Sequence, residues 1–189
     1  MSTIVLQPTE TAHWRDLVHE AARACERPLQ EELESYLVFL LMRFAARPEM
    51  AGTILALEYL EGLLRGGRGG SRQLREVGDQ CLLYSGLFPL RARRRTVQVR
   101  YYVDMGRSAY HRLAESAERG WGHMYHQLCE SFVALMDVLQ AMRELDCDQR
   151  LDELTLHELW DECGSRRAGQ ALRRRLGAGL ARGAGERRH

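Results

Sequence analysis

Tyrosine is concentrated in one block of the chain, beside polar groups of the kind that a ligand site uses. Residues 78–110 hold four of the seven tyrosines, and arginines cluster at residues 91–95. Aromatic walls with a few convergent polar groups are how helical bundles form pockets for small molecules. The candidate ligand-binding residues are Tyr84, Tyr101, Tyr102, Asp104, Tyr110 and His111. The alternative is that these tyrosines fill the edge of a core and keep their hydroxyls in water.

A second candidate is a pair of histidines, His123 and His126, with Cys129 three residues further on. On a helix this spacing places two nitrogens and a sulfur along one side, and all three are ligands that zinc accepts. A catalytic metal site would also need carboxylates, such as Asp104 or Glu130. We interpret the pair as partly exposed histidines beside a core seam, so we expect no bound metal and no cofactor.

Two patterns that could carry catalysis are weaker still. Carboxylates three residues apart, as at Glu58 and Glu61, are common on charged helix faces. Ser85 lacks the Gly-x-Ser-x-Gly frame that presents a nucleophilic serine. We therefore assign no catalytic residue.

The elements that would position these groups are predicted to be helices. Apolar residues recur at three- and four-residue steps, and glycine or proline separates the periodic stretches. The first predicted helix is capped by Thr9 or Thr11 and runs to about residue 26, and Ser71 is predicted to cap the helix 71–83. The other predicted helices span residues 29–46, 49–64, 96–118, 121–145 and 151–163, followed by an arginine-rich helix at 165–176. Residues 66–70, with four glycines, are predicted to form a mobile loop.

Two stretches are apolar enough to lie at the centre of the fold. Residues 36–44 are apolar nearly all round, and residues 121–142 maintain a seam with four- and three-residue steps. A homodimer face is the alternative interpretation of that seam. The predicted fold is an all-α, single-domain bundle of about seven helices, with residues 1–163 as the helical domain and 164–189 as an arginine-rich helix and flexible tail.

Charge is divided unevenly along the chain. All 27 basic residues are arginine, and residues 164–189 carry eight arginines and one glutamate, a net charge of +7. The overall charge of +1 leaves −6 on residues 1–163. Such a body repels a phosphate backbone, so only the tail is expected to bind nucleic acid.

Cysteine usage favours a reducing compartment. Five cysteines are widely separated and include no Cys-x-x-Cys pair, which argues against a disulfide framework and a structural zinc site. Residues 1–10 have no basic stretch before an apolar one, so no signal peptide is predicted. The most apolar run, residues 36–42, is far shorter than the ~20 residues that a membrane-spanning helix needs. We expect a cytoplasmic protein without membrane contact.

The tyrosine-rich block resembles a family of uncharacterised bacterial proteins of similar length. The resemblance covers about a sixth of the chain, and Leu87 stands where the family has phenylalanine. The matching residues are Gly78-Asp79, Ser85-Gly86, Phe88-Pro89, Val97, Val99, Tyr101-Tyr102, Met105-Gly106 and Ala109-Tyr110. The resemblance implies a bacterial, cytoplasmic, all-helical protein and brings no activity with it.

These observations favour a non-enzymatic helical binding or adaptor protein whose partner is a protein or a small ligand. A small-molecule or metal-dependent enzyme with its pocket at the tyrosine-rich block is the first alternative. Nucleic-acid binding through the basic tail is the second.

Overall fold

The computed structural model describes residues 9–47, 55–89, 98–116, 119–146 and 151–186. Within these ranges the chain forms nine α-helices and no strand, which confirms the all-α class. The helices are α1 Glu10–Ala24, α2 Glu31–Ala46, α3 Leu55–Arg65, α4 Gly67–Leu87, α5 Val99–Ser116, α6 Arg119–Glu130, α7 Phe132–Asp146, α8 Glu153–Asp161 and α9 Arg166–Glu186. The arginine cluster at 91–95 lies outside the described residues, as do residues 48–54 and Cys147.

Two helix starts show why the chain folds locally as it does. Thr9 precedes α1, and its side chain accepts a hydrogen bond from the Ala12 amide at 3.3 Å. Asp152 caps α8 in the same way, accepting from the Thr155 amide at 3.0 Å. Each cap satisfies an amide that the helix itself leaves without an acceptor.

Helix α4 lies at the centre of the bundle and packs against α3, α5 and α7. Its residues 77–86 are all buried, although they include two glycines and three polar side chains. Helix α1 packs on α2 and α7, α6 packs on α5 and α2, and α8 packs on α9 and α5. The position of α4 brings one aspartate of the chain, Asp79, to the middle of the protein.

The number of helices differs from the prediction because residues 121–145 form two helices. Helices α6 and α7 meet at Ser131, whose amide donates to the Gln127 carbonyl and whose carbonyl accepts from the Leu135 amide, both at 2.9 Å. Both halves pack on α5, but their other neighbours differ, since α6 packs on α2 while α7 packs on α1 and α4. An unbroken seam in the sequence could not show that change of partner.

The glycine-rich stretch is helical rather than the predicted mobile loop. Helix α4 begins at Gly67, and Gly70 lies against α3 so closely that an added Cβ would stand 2.5 Å from the Gly62 carbonyl oxygen. Ser71, predicted to cap this helix, lies inside it and donates to the Gly67 carbonyl at 3.0 Å. Glycine here permits close packing of two helices.

The C-terminal part also differs from the expected flexible tail, because α9 continues to Glu186. Its start is fixed by Ser165, whose hydroxyl accepts from the Ala168 amide at 3.0 Å and donates to the buried Asp137 carboxylate at 2.6 Å. The predicted seven helices and flexible tail are therefore not confirmed. The division of the chain at 163 and 164 stays a prediction.

None of the helices in the described part of the chain combines the length and apolar character needed to cross a membrane.

Gly106 provides the first testable prediction. A Cβ at this position would lie 2.5 Å from Phe132 Cε2 and 2.8 Å from Cys81 Cβ, so α5 would have to move away from α4 and α7. We expect Gly106→Ala to lower the free energy of unfolding by about 1–3 kcal/mol, and Gly106→Leu to lower it further. The melting temperature measured by circular dichroism checks this.

Gly120→Ala is the matched control, since a Cβ at Gly120, also within a helix, would meet no atom within 4 Å. Helix propensity alone should leave this variant unchanged or raise its stability by up to about 1 kcal/mol. A rise in melting temperature for both alanine variants would show that α5 does not cross its neighbours tightly at Gly106.

Candidate functional site

The candidate site is built on Asp79, which is completely buried on α4. Its Oδ1 accepts hydrogen bonds from two tyrosine hydroxyls, Tyr36 at 2.5 Å and Tyr110 at 2.8 Å. Its Oδ2 accepts from the Arg43 guanidinium and lies 3.7 Å from Nε of Arg75. These five residues are called the Asp79 cluster below. A buried carboxylate is tolerable only with such a set of donors around it.

Three helices supply the cluster. Tyr36 and Arg43 lie two turns apart on one side of α2, Arg75 and Asp79 lie one turn apart on α4, and Tyr110 comes from α5. Gly78 makes room for the last of these, because a Cβ there would stand 2.6 Å from Cε1 of the Tyr110 ring. The glycine before the aspartate therefore lets the tyrosine hydroxyl reach the carboxylate.

The tyrosines of the cluster are held in the neutral state. The pKa of Tyr36 and of Tyr110 is raised well above the ordinary value, first by burial and then by the negative charge of Asp79. Burial is the largest influence on the pKa of Arg43 and acts to lower it, but the charge of Asp79, the hydrogen bond to Asp79 and the charge of Glu76 together raise that pKa above its ordinary value. The cluster is thus an arrangement of hydrogen-bond donors around one buried carboxylate.

A cleft of about 540 Å³ opens onto this cluster between α2, α4 and α6. Tyr36, Arg43, Arg75 and Asp79 line it, together with Leu40 and Met124. Two large aromatic side chains also line it and remain mostly in solvent, since Phe39 is 62% exposed and Trp121 is 59% exposed. Exposed aromatic groups beside a concave polar floor are typical of ligand sites.

The structure separates the six ligand-binding residues predicted from the sequence. Tyr84 and Tyr102 are buried and stack with ring centroids 5.3 Å apart, and Tyr101 packs edge-on against Tyr102 at 5.6 Å. Tyr110 lies elsewhere, in the Asp79 cluster. Residues 102 and 110 are eight positions apart on α5, about 12 Å along its axis, so one pocket does not gather all the tyrosines.

Asp104 and His111 lie on the exposed side of α5. Asp104 pairs with Arg100 at 3.3 Å, and His111 lies 3.5 Å from Glu115. Both are pairs between residues four apart on the helix surface, an arrangement that contributes little to stability. A ligand role for these two residues stays a prediction.

His123 and His126 are both exposed on α6, and His126 lies 3.5 Å from Glu130. Among the residues with described positions, no group of three or more histidine, cysteine, aspartate or glutamate side chains is arranged to hold a metal ion.

A second buried polar network joins α7 to α9. Asp137 is 1% exposed, and burial raises the pKa of its carboxyl group. The Ser165 hydroxyl donates to the carboxylate of Asp137, and the Cys25 thiol donates to the backbone carbonyl of Asp137 at 3.3 Å. Arg167 at the start of α9 pairs with Glu144 on α7. This network anchors α9 to the bundle.

The thiols have the character of core side chains. Burial raises the pKa of Cys25 to about 11 and that of Cys163 to about 12, and it also raises the pKa of the completely buried Cys81. A thiol with a raised pKa stays protonated at neutral pH and reacts slowly.

Comparison with known proteins gives no match: no family model, no curated protein and no solved structure is significantly similar to this chain.

Sequence reasoning did not predict the Asp79 cluster, apart from Tyr110. A usable signal was present, because Arg43 is a lone charge at the end of the apolar stretch 36–44 and Asp79 is a lone charge ahead of the apolar stretch 81–84. A single charge in a segment that must be buried requires a partner of opposite sign. The sequence does not show that these two charges belong to each other, 36 residues apart.

Replacement of Asp79 by asparagine should destabilise the protein strongly. The change leaves Arg43 and Arg75 without their carboxylate in a partly dry site. We expect the free energy of unfolding to fall by about 2–4 kcal/mol, slightly less than for a fully buried pair because both arginines retain some contact with water. Denaturation by urea measures it.

Asp104→Asn is the matched control, because Asp104 has the same spacing from Arg100 that Asp79 has from Arg75 but lies in solvent. Its effect should stay within about 0.5 kcal/mol. Equal effects of the two substitutions would contradict the structural role assigned to Asp79.

The tyrosines should make the protein sensitive to alkali. A raised pKa in the folded state means that stability is complete below the ordinary tyrosine value of about 10 and decreases as the pH rises above it. Tyr110→Phe should be less stable at pH 7, because a hydrogen bond to Asp79 is lost. Above pH ~10 the stability of the variant should decrease less steeply than that of the parent protein. The two slopes should differ by up to ~1.4 kcal/mol per pH unit, the contribution of one titrating group.

Urea denaturation between pH 7 and 11 measures both effects on the same samples. The buried thiols contribute to the alkaline decrease in both proteins, so only the difference between the two curves reports Tyr110. Curves that run parallel above pH 10 would contradict the raised pKa.

Proposed function

We propose that this protein is a non-enzymatic helical binding protein and that the cleft between α2, α4 and α6 holds a small organic molecule. The observation that carries the proposal is the pairing of two solvent-exposed aromatic side chains, Phe39 and Trp121, with a floor of fixed hydrogen-bonding groups. Burying both aromatic rings against a ligand would remove apolar area from water, which favours binding.

The size of the cleft supports a small molecule. Pockets for ligands of drug size are typically ~300–1,000 Å³, and this cleft is about 540 Å³. The floor supports the same conclusion, because Tyr36 is held by Asp79 and by the ring of Tyr110, whose centroid lies 6.4 Å away. Groups that are already fixed lose little freedom when a ligand binds.

The alternatives from the sequence stay predictions. An enzyme with its pocket at the tyrosine-rich block would have its chemistry at Tyr84, Tyr101, Tyr102, Tyr110 and His111, and the rings of Tyr84, Tyr102 and Tyr110 are packed in the core. Binding of nucleic acid through the C-terminal region rests on the exposed arginines of α9, Arg166, Arg173 and Arg174. A cytoplasmic location rests on cysteine spacing, and a bacterial origin rests on the resemblance of residues 78–110.

The proposed function is tested by screening small organic fragments against the protein with ligand-observed NMR. Fragments that show saturation transfer from the parent protein should no longer show it with the double variant Phe39→Ala/Trp121→Ala. A matched double variant, Leu64→Ala/Leu154→Ala, removes two exposed apolar side chains outside the cleft and should bind as the parent does. Binding that is unaffected by the aromatic pair would refute the cleft as the site.

A further inference from the structure

We propose that the ligand of this cleft is an aromatic molecule with a single anionic group, such as a carboxylate, and that the cleft rejects polyanions. The inference rests on the proposed function and names the class of molecule that the site accepts. It follows from three features of the lining: an excess of positive charge at the floor, aromatic walls one helical turn away, and negative charge at the far end.

The floor of the cleft has two guanidinium groups and one carboxylate. Arg43 and Arg75 both approach the same oxygen of Asp79, while the other oxygen is occupied by two tyrosine hydroxyls. One positive charge is therefore not balanced within the Asp79 cluster. Glu76 also attracts Arg43 and offsets part of this charge from outside the cleft, so the excess of positive charge is confined to the surface that faces the cleft. A single anion in the cleft would balance the remaining charge.

The two arginines can contact that anion. Their side chains are 30% and 40% exposed, so each guanidinium reaches the cleft as well as the buried carboxylate. Their Nε atoms are buried and make no hydrogen bond among the described residues, so contact with an anion in the cleft would come from the terminal guanidinium nitrogens. Arginine binds carboxylates through a planar pair of donors, so a carboxylate suits this floor.

The aromatic walls set the shape of the molecule. Phe39 and Arg43 are one turn apart on α2, which is about 6 Å along the helix axis. A ring that stacks on Phe39 and Trp121 would thus place a directly attached or short-armed carboxylate beside Arg43. Arg75 already lies over an aromatic ring, that of Tyr36, with its guanidinium carbon 5.6 Å from the centroid.

The opposite end of the cleft is acidic. Glu31 and Glu32 line it in the first turn of α2, and Glu32 is eleven residues from Arg43, about 16 Å along the axis. At physiological salt, charges are screened beyond ~8 Å. The two glutamates therefore interact electrostatically with the near part of a bound ligand and only weakly with the arginines at the other end. A ligand with a second anionic group extending towards them would be repelled, and a chain of phosphates at the arginine end would exceed the positive charge there, so nucleotides and other polyanions are disfavoured.

A matched pair of fluorescent probes tests the inference. 8-Anilinonaphthalene-1-sulfonate is an aromatic monoanion, and N-phenyl-1-naphthylamine has the same ring system without the charge. We expect the folded protein to bind the anion at least tenfold more tightly than the neutral probe. In Arg75→Gln this preference should fall to less than threefold, with unchanged affinity for the neutral probe. Arg112→Gln removes an exposed arginine outside the cleft and should keep the preference of the parent.

Rejection of polyanions is tested by competition. ATP should not displace the anionic probe from the parent protein but should displace it from Glu31→Gln/Glu32→Gln. Displacement from the parent would overturn this part of the inference. Circular dichroism melting of every variant ensures that probe binding is compared between folded proteins.

The outcomes separate the inference from the proposed function. Equal affinities for the two probes, both lost in Phe39→Ala/Trp121→Ala, would overturn the preference for an anionic ligand and leave the cleft as the binding site. Probe binding that does not depend on Phe39 and Trp121 would overturn both. Absence of any binding of the anionic probe would overturn the inference as well.

Discussion

A buried carboxylate constrains this structure more than any other interaction. Asp79 has no contact with solvent, and a charge in such a place is stable only when donors surround it. Those donors come from α2, α4 and α5, so the relative positions of three helices are fixed by one side chain. The cleft follows from the same interaction, because Tyr36, Arg43 and Arg75 are held at its floor by the aspartate that they solvate.

The cluster could not form without close contact between helices. Gly78 allows the ring of Tyr110 to pack directly against α4, and Gly106 allows Phe132 and Cys81 to pack directly against α5. Both positions forgo the better helix propensity of alanine, worth about 1 kcal/mol each. Tight packing and the burial of Asp79 are therefore linked, since a wider spacing between α4 and α5 would take the Tyr110 hydroxyl out of hydrogen-bonding range of the carboxylate.

Arg43 and Arg75 have two roles in this arrangement. They neutralise Asp79 on one side and line the cleft on the other, so the groups that stabilise the core are the groups that would bind a ligand. The second buried carboxylate, Asp137, differs in this respect. Its described partners, Ser165 and Cys25, are both in the interior, and the network attaches α9 to α7. The first network opens onto a cleft with exposed aromatic side chains.

The sequence by itself determined the helical class and most helix positions, because these depend on periodicity and on residues within a few positions of each other. Thr9 and the acidic first turn of α2 are examples. The concentration of tyrosines in residues 78–110 also pointed to part of the candidate site, since Tyr110 contacts Asp79. Tyr84, Tyr101 and Tyr102 form a separate group, since adjacency in sequence does not place side chains on the same side of the bundle.

Only the tertiary structure decided the rest. The break at Ser131, the packing of Gly70 against α3 and the meeting of Arg43 with Asp79 all depend on which helices become neighbours. A periodic pattern shows which face of a helix is buried but not what covers it, since any complementary apolar face satisfies the hydrophobic effect equally well. The partner of a buried charge is set by geometry between distant parts of the chain, and that geometry exists only once the helices have packed.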